Sequence, residues 1–332
     1  MRVAMVLLLG WVGCAPAVVG APHGVPRDVG AVSAADAGAF VPDAGSDAPV
    51  DAPVDAGEVP PMDAGVTPPP DAGCVRPTAL NTGVPAGTVL TVVLGDLTIS
   101  KAGAIVEGVE VSGDVLIAAN DVVLRNSRIH GGVEMAPNAR RGTVDHSELG
   151  PDTGGYPGTA LMLDHSFQLL YSNLHNFRLA VRPQFDVLLR GNYLHAPYGK
   201  SGDATGGVAG YGVSGPGGVT LECNDIDVTT PASGSQVDLA NDVFEVTCTD
   251  TVNPPQGLSL SHNWFGGAGY AVYIWGFWGT LDVKDNVWDG HAAYGPVWFN
   301  GDTAMRAWSG NGYADGGTLK TPEVISGKNC EG

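Results

Sequence analysis

The stretch Val187-Leu-Leu-Arg-Gly-Asn192-Tyr-Leu-His195 decides how this chain folds. Val187 and Leu189 alternate with Leu188 and Arg190, the period of a strand with one face buried. A break follows at Gly191-Asn192, and Leu194 then returns an apolar side chain to the same interior. The pattern recurs in Val122-Val-Leu-Arg-Asn-Ser127-Arg-Ile-His130, Gly142-Thr-Val-Asp-His-Ser147-Glu-Leu and Phe167-Gln-Leu-Leu-Tyr-Ser172-Asn-Leu-His175. It continues in Val219-Thr-Leu-Glu-Cys-Asn224-Asp-Ile-Asp227, Leu258-Ser-Leu-Ser-His-Asn263-Trp-Phe and Leu281-Asp-Val-Lys-Asp-Asn286-Val-Trp-Asp289, with a degraded copy around Asn311. Successive anchors lie 20, 25, 20, 32, 39, 23 and 25 residues apart. A strand, a kink and a second inward residue at such a period describe the stacked coils of a solenoid. The 49 glycines suit tight turns, and no helical period of useful length appears.

At the level of residues this resembles the right-handed parallel β-helix, the pectate-lyase-like superfamily. There a stacked Asn ladder fills the turn between the second and third strands of each coil. Asn192, Asn224, Asn263 and Asn286 match that ladder, and Ser127, Ser147 and Ser172 hold the slot earlier. The resemblance covers residues 88–315 or so and implies an all-β, single-stranded right-handed solenoid. It does not choose an activity, because the fold hosts many.

Outside the repeat the chain reads as an exported protein. Arg2 followed by the apolar run Val3 to Leu9 has the form of a secretory signal, too short to span a membrane. Trp11-Val-Gly-Cys14 resembles a bacterial lipobox with Cys14 as the lipidated residue; ordinary cleavage near Val19-Gly20-Ala21 is the alternative. The domain organisation expected is a signal peptide over 1–21, a disordered linker over 22–73 and the β-helix over 74–332. In the linker Asp-Ala-Gly recurs at Asp36, Asp43, Asp55, Asp63 and Asp71, a composition with almost nothing to bury. Such a segment would hold the domain off a surface, tied to the membrane only through its lipid.

Nine of the 35 acidic and two of the 16 basic residues precede Cys74, which leaves 26 against 14 in the remainder. That balance excludes nucleic acid as a partner, since phosphate binding needs a basic face. It also opposes a polyanionic substrate, unless a cation or a local basic patch intervenes. A monomer is expected. Cys74, Cys223, Cys248 and Cys330 form no CxxC pair, and an even number in an exported chain points to disulfides. Closeness in sequence favours Cys223–Cys248 with Cys74–Cys330, one of three possible connectivities.

The first strand of each coil reads as Val133-Glu-Met135, Leu161-Met-Leu163, Leu179-Ala-Val181, Tyr211-Gly-Val213, Val272-Tyr-Ile274 and Val297-Trp-Phe299, with a further coil at Val243-Phe-Glu245. With the outer members of each triplet inward, the outward set is Glu134, Met162, Asp164, Arg178, Arg182, Ser214, Asp242, Phe244, Tyr273, Trp275, Trp298 and Asn300. The resemblance implies that this sheet and its flanking loops form the groove for a polysaccharide. Tyr273, Trp275 and Trp298 suit a platform for sugar rings. The competing role for these aromatics is to seal the last coils, where six of the seven Trp fall between Trp264 and Trp308.

Two chemistries fit the scaffold. A lyase would use Arg178, Arg182 or Lys200 as base, with Ca²⁺ held by acids such as Asp164 and Asp203. A hydrolase would place Glu134, Asp164, Asp203 and Asp242 about the glycosidic oxygen. His130, His175 and His195 share one register, and His195 precedes a long loop carrying Tyr198, Lys200 and Asp203, which makes it a candidate acid–base residue. A solvated polar stack is the plainer account of that register, and a salt bridge to Asp164 the plainer account of Arg178 and Arg182. The leading expectation is a polysaccharide lyase or glycoside hydrolase; the alternative is a non-catalytic carbohydrate-binding or adhesive protein.

Overall fold

The structure is a computed structural model that describes residues 73–200, 205–211, 217–236, 240–247, 257–276, 279–300, 304–322 and 324–325. Among these residues there are strands and turns and no helix. The strands form three parallel sheets of ten, ten and nine members. Leu97–Ile99 opens the first sheet, Ile105–Glu107 the second, and Val109–Val111 adds to the third behind Thr91–Val93. Each later circuit of the chain lays one strand on each sheet, directly over its predecessor. That order is compatible with a parallel β-helix. The interior is the predicted one: Leu124, Val144, Leu149, Leu174, Leu194, Ile226 and Leu260 are fully buried. Each such side chain contributes roughly 1.5–3 kcal/mol of transfer free energy.

The ladder forms between the second and third sheets. Asn192 Nδ2 donates to Asn224 Oδ1 at 2.9 Å, Asn224 to Asn263 at 2.9 Å, and Asn263 to Asn286 at 3.0 Å. Each amide donates a second bond to a carbonyl of the preceding circuit, as Asn224 does to Leu189 at 2.9 Å. Asn311, which reads as degraded in sequence, is a full rung accepting from Asn286 at 3.1 Å. The serines serve the same turn with one oxygen. Ser147 accepts from the Ser127 amide and donates to the Asp145 carbonyl.

The residue before every rung is left-handed. Asn126, His146, Tyr171, Gly191, Cys223, His262, Asp285 and Gly310 all have φ between 43° and 68°. For the five that are not Gly or Asn this conformation costs about 1 kcal/mol or more each. The bend it makes turns the chain from one sheet to the next and aims the following side chain inward.

The first sheet departs from the expected register in three places. Met162 is fully buried and pairs with Val133 and Val181, so Leu163, not Asp164, shares register with Glu134 and Arg182. The run Leu161-Met-Leu163 has no alternation to fix its face, and the strand starts one residue later than expected. Phe244 is inward and fully buried. The strand expected at Tyr211-Gly-Val213 is Gly206–Tyr211, with Val208 against Val181 and Phe244. Ser214 lies outside the described residues.

The disulfide differs as well. Cys74 bonds Cys223, which excludes both Cys223–Cys248 and Cys74–Cys330; Cys248, Cys330 and Cys14 lie outside the described residues. The reason is the path of the segment after Cys74. It runs back along the third sheet as a strap: Arg76 Nε meets Asp225 Oδ2 at 2.6 Å, and the Gly83 amide donates to the Tyr171 carbonyl at 2.9 Å. Gly83 has φ +77° and a Cβ there would press on Asn173 at 3.0 Å, so the strap lies close. Proximity in sequence was therefore a poor guide to proximity across the stack.

Candidate functional site

Along the middle of the first sheet the strands carry two inward residues in succession after their first residue. Ala180 and Val181, Val243 and Phe244, and Ala271 and Val272 are all buried in the core. This bend places the outward residues three apart rather than two. The aligned pairs are Leu179 and Arg182, Gly206 and Ala209, Asp242 and Glu245, Tyr270 and Tyr273, and Gly295 and Trp298. They make two parallel rows along one face.

At the later end the rows carry an aromatic platform. Tyr273 stacks on Trp298 with ring centroids 4.5 Å apart, and Tyr270 stacks on Trp298 at 5.9 Å. Tyr294 adds an edge 5.7 Å from Tyr270 and is itself 71 % exposed. Trp275 lies one outward step further on, in register with Thr247 and Asn300, and its indole Nε1 is buried without a partner. The sealing role expected of the aromatics falls to others. Trp288 is buried against Phe265 and near Trp308, and donates to the Pro296 carbonyl at 3.1 Å.

Beside the platform, Asp242 and Glu245 form a hydrogen-bonded carboxyl pair. Burial raises Asp242 well above the ordinary carboxylate range, and the charge of Glu245 and the bond to it add to the effect. Two carboxyl groups in contact cannot both ionise cheaply, so the pair retains one proton across neutral pH. Burial likewise raises the Tyr273 phenol, with Glu245 and Asp242 contributing, so it stays protonated as a donor.

Toward the start of the stack the face is covered: Leu179 and Ala209 are buried and cluster with Ala160. Gly206 lies between Leu179 and Asp242, and a Cβ there would meet the Asp242 carbonyl oxygen at 2.9 Å. Ala209 fills the second row with a methyl group. Arg182 flanks this floor on its other side, two strands and so about 10 Å from Glu245 along the sheet. Its Nε is buried without a hydrogen-bond partner, and it makes no ion pair among the described residues. Arg178 precedes the strand, and its carbonyl accepts from the Gly206 amide at 3.0 Å. The side chain of Asp164 and all of Asp203, the acids expected to hold Ca²⁺ in a lyase, lie outside the described residues, as does the side chain of Asn300.

Other expected residues sit elsewhere. Glu134 is exposed at the early end of the same row and lines a cavity of about 230 Å³ with Asp96, Asp114 and Tyr156. Burial and Asp114 push the Tyr156 phenol up to about 12. His175 and His195 belong to the third sheet, not to the face carrying Asp242. There His175 Nε2 meets Glu148 Oε1 at 3.1 Å, and His195 Nε2 meets Asn173 Oδ1 at 3.0 Å. The bond from His175, with Arg128 on the other side, holds Glu148 down at about 2. Burial and the neighbouring His175 push His195 down to about 4, so it is neutral at pH 7 and engaged in a polar stack. Tyr198 packs its ring against Gly155, and Lys200 is exposed.

Of the residues expected on this face, Asp242, Arg182, Tyr273 and Trp298 lie in its two rows, together with Glu245 and Tyr270, which the sequence reading did not name. Their signal was present: Asp242-x-x-Glu245 and Tyr270-x-x-Tyr273 repeat one spacing in adjacent strands. Among the described residues no group of three His, Cys, Asp or Glu side chains is placed to hold a metal ion.

The fold and this face define an all-β protein of stacked parallel strands with a polar and aromatic surface along one sheet. No family model matches the chain, nor does any curated protein or solved structure.

Proposed function

We propose that the chain is a right-handed parallel β-helix of the pectate-lyase-like kind that hydrolyses a polysaccharide laid along its first sheet. The observation that carries this reading is the carboxyl pair Asp242–Glu245 beside the platform of Tyr270, Tyr273 and Trp298. Aromatic faces of this extent bind the C–H faces of sugar rings. A carboxylic acid that keeps its proton at neutral pH is what the departing glycosidic oxygen requires. The proton belongs to the pair, with Asp242 the more buried member.

The two carboxyls are in hydrogen-bond contact, closer than the 5–5.5 Å or so that separates acid and nucleophile in retaining glycosidases. They therefore act together as the acid, on one side of the bond. The signal sequence, the lipobox at Cys14 and the acidic linker extend the proposal to an exported protein displayed on a tether. A non-catalytic glycan binder is the second reading, favoured by the platform taken alone.

The test is digestion of a panel of neutral and acidic polysaccharides, following reducing ends and absorbance near 235 nm. New reducing ends without absorbance are expected, and D242N should lower the rate by about 10²–10⁴, the usual contribution of a general acid. New absorbance would mean β-elimination and overturn hydrolysis. Retention on a polymer that is never cleaved would establish the binder instead.

A further inference from the structure

The first circuit of the chain has an open side. Thr91–Val93, Leu97–Ile99 and Ile105–Glu107 are each the terminal strand of their sheet, and no described strand pairs with their outer edges. The Leu97 amide donates to the Asp114 carbonyl and the Ile99 carbonyl accepts from the Ala118 amide, so the peptide groups of Thr98 between them point away from the stack. The same alternation turns those of Val92 and Ile105 outward, because Thr91, Val93 and Ala104 make the bonds to the next circuit. A bare edge of this kind invites strand pairing, and the terminal repeats of a solenoid normally carry a polar cap. Here the side chains are apolar instead. Val89, Val92, Leu94 and Ile105 are between 50 % and 88 % exposed. Val92 heads a row that continues through Glu110, Arg128 and Glu148, so the row turns apolar only where it meets the open edge.

We infer that a second copy of the chain docks on this circuit, head to head, about a two-fold axis through Leu97–Ile99. Such an axis lays Leu97–Ile99 antiparallel on its own copy, where the two Thr98 residues exchange both of their free backbone bonds. It lays Thr91–Val93 of each copy against Ile105–Glu107 of the other, so that Val92 meets Ile105 on both sides. Lys101 of each copy then lies near Asp96 of the other. The circuit from Val89 to Glu107 has 19 residues, close to the roughly 20–30 a side of a stable interface. The residues before Cys74 suit this edge poorly. They join the described chain at the bond to Cys223, six strands along the third sheet from Thr91–Val93. They are also rich in Pro, Gly and Asp, which strands disfavour. The monomer expected from the sequence gives way to a dimer.

The experiment is sedimentation equilibrium of the purified chain at rising concentration. A mass twice that of the chain is expected. I105K sets a lysine against the apolar Val92 of the other copy and should weaken association tenfold or more. V92E/I105K should restore it, because the axis brings each new glutamate against a new lysine. Both positions are exposed in the single chain, and thermal melts of dilute samples check that the variants remain folded. The mass of one chain at every concentration would overturn the inference, and so would a dimer that folded I105K leaves unchanged. A dimer that I105K dissociates and V92E/I105K does not restore would overturn the two-fold arrangement.

Discussion

Asp242 shows how burial makes one carboxyl's contribution to stability depend on pH. Its folded value lies above the ordinary carboxylate range, with burial the largest cause. The sign follows by linkage: the folded state holds the proton more tightly than the unfolded chain, so the contribution to stability is fully present below the unfolded value of about 3.9. It is lost as pH rises through the raised value. Asn has the same shape and never ionises. D242N should therefore melt close to the wild type at pH 4 and above it at pH 9, and parallel melts at the two pH values check this. A variant that melts lower at pH 9 would mean that the ionised pair is stabilised by something other than its shared proton. Glu148 behaves oppositely, because the bond from His175 and the charge of Arg128 favour its ionised form. One carboxyl is thus held ready to give a proton and the other is held as a fixed anion. The difference lies first in burial, which is the largest cause at Asp242, and then in whether a cation or a second acid stands beside the carboxyl.

At the scale of the element, the turn between the second and third sheets was legible because its side chain is chosen by chemistry. Only Asn both accepts the next rung's amide and donates to the preceding circuit's carbonyl, so Asn192, Asn224, Asn263 and Asn286 stand out in a single sequence. The left-handed residue before each rung was not legible. A backbone angle and no side chain defines it, and Tyr171, Cys223 and Asp285 adopt it alike. The strand register of the first sheet failed for a related reason. Leu161-Met-Leu163 and Val243-Phe244 are unbroken apolar runs, and the bend that puts two successive residues inside breaks the period of two. Glu245 was hidden by that bend, which also exchanged the faces of Leu179 and Ala180, while Trp298 followed a strand read correctly. The ladder supports a graded prediction. N263A removes the acceptor for the Asn224 amide and side chain and the donor for the Leu221 carbonyl, all buried. Leaving such groups unmatched costs about 1–3 kcal/mol each, so a loss of about 3 kcal/mol or more is expected. N263S restores the acceptor for the amide, as Ser172 does for Ser147, and should recover part of it. Urea unfolding of the two variants measures the order, and equal losses would show that the ladder oxygen contributes nothing at this rung.

On the scale of the whole molecule, stacking makes contacts that are distant in sequence but regular in space, and the strap after Cys74 is the one described segment that crosses the stack. The Cys74–Cys223 bond closes a loop with a sequence separation of 149. It ties the strap to the third sheet at the circuit of Asn224, while the strand that follows the strap, Thr91–Val93, begins that sheet. Between these two points the circuits of Val109, Ser127, Ser147, Ser172 and Asn192 are enclosed by the cross-link. Constraining the unfolded chain over so long a loop gives a stabilisation of about 2–5 kcal/mol. C74S/C223S should lower the unfolding free energy by that amount and the urea midpoint in proportion, and the double variant avoids leaving a free Cys223 to exchange with Cys248 or Cys330. The loss should also be local in the folded state. The Arg76–Asp225 pair is half exposed on the arginine side and cannot hold the strap alone. Amide exchange at Gly83, which bonds the Tyr171 carbonyl, should then rise well before that of the Asn192 and Asn224 amides inside the ladder. Exchange that rises equally at all three would mean the strap and the stack open as one unit. An unchanged midpoint would mean the cross-link only decorates a stack that the ladder already holds.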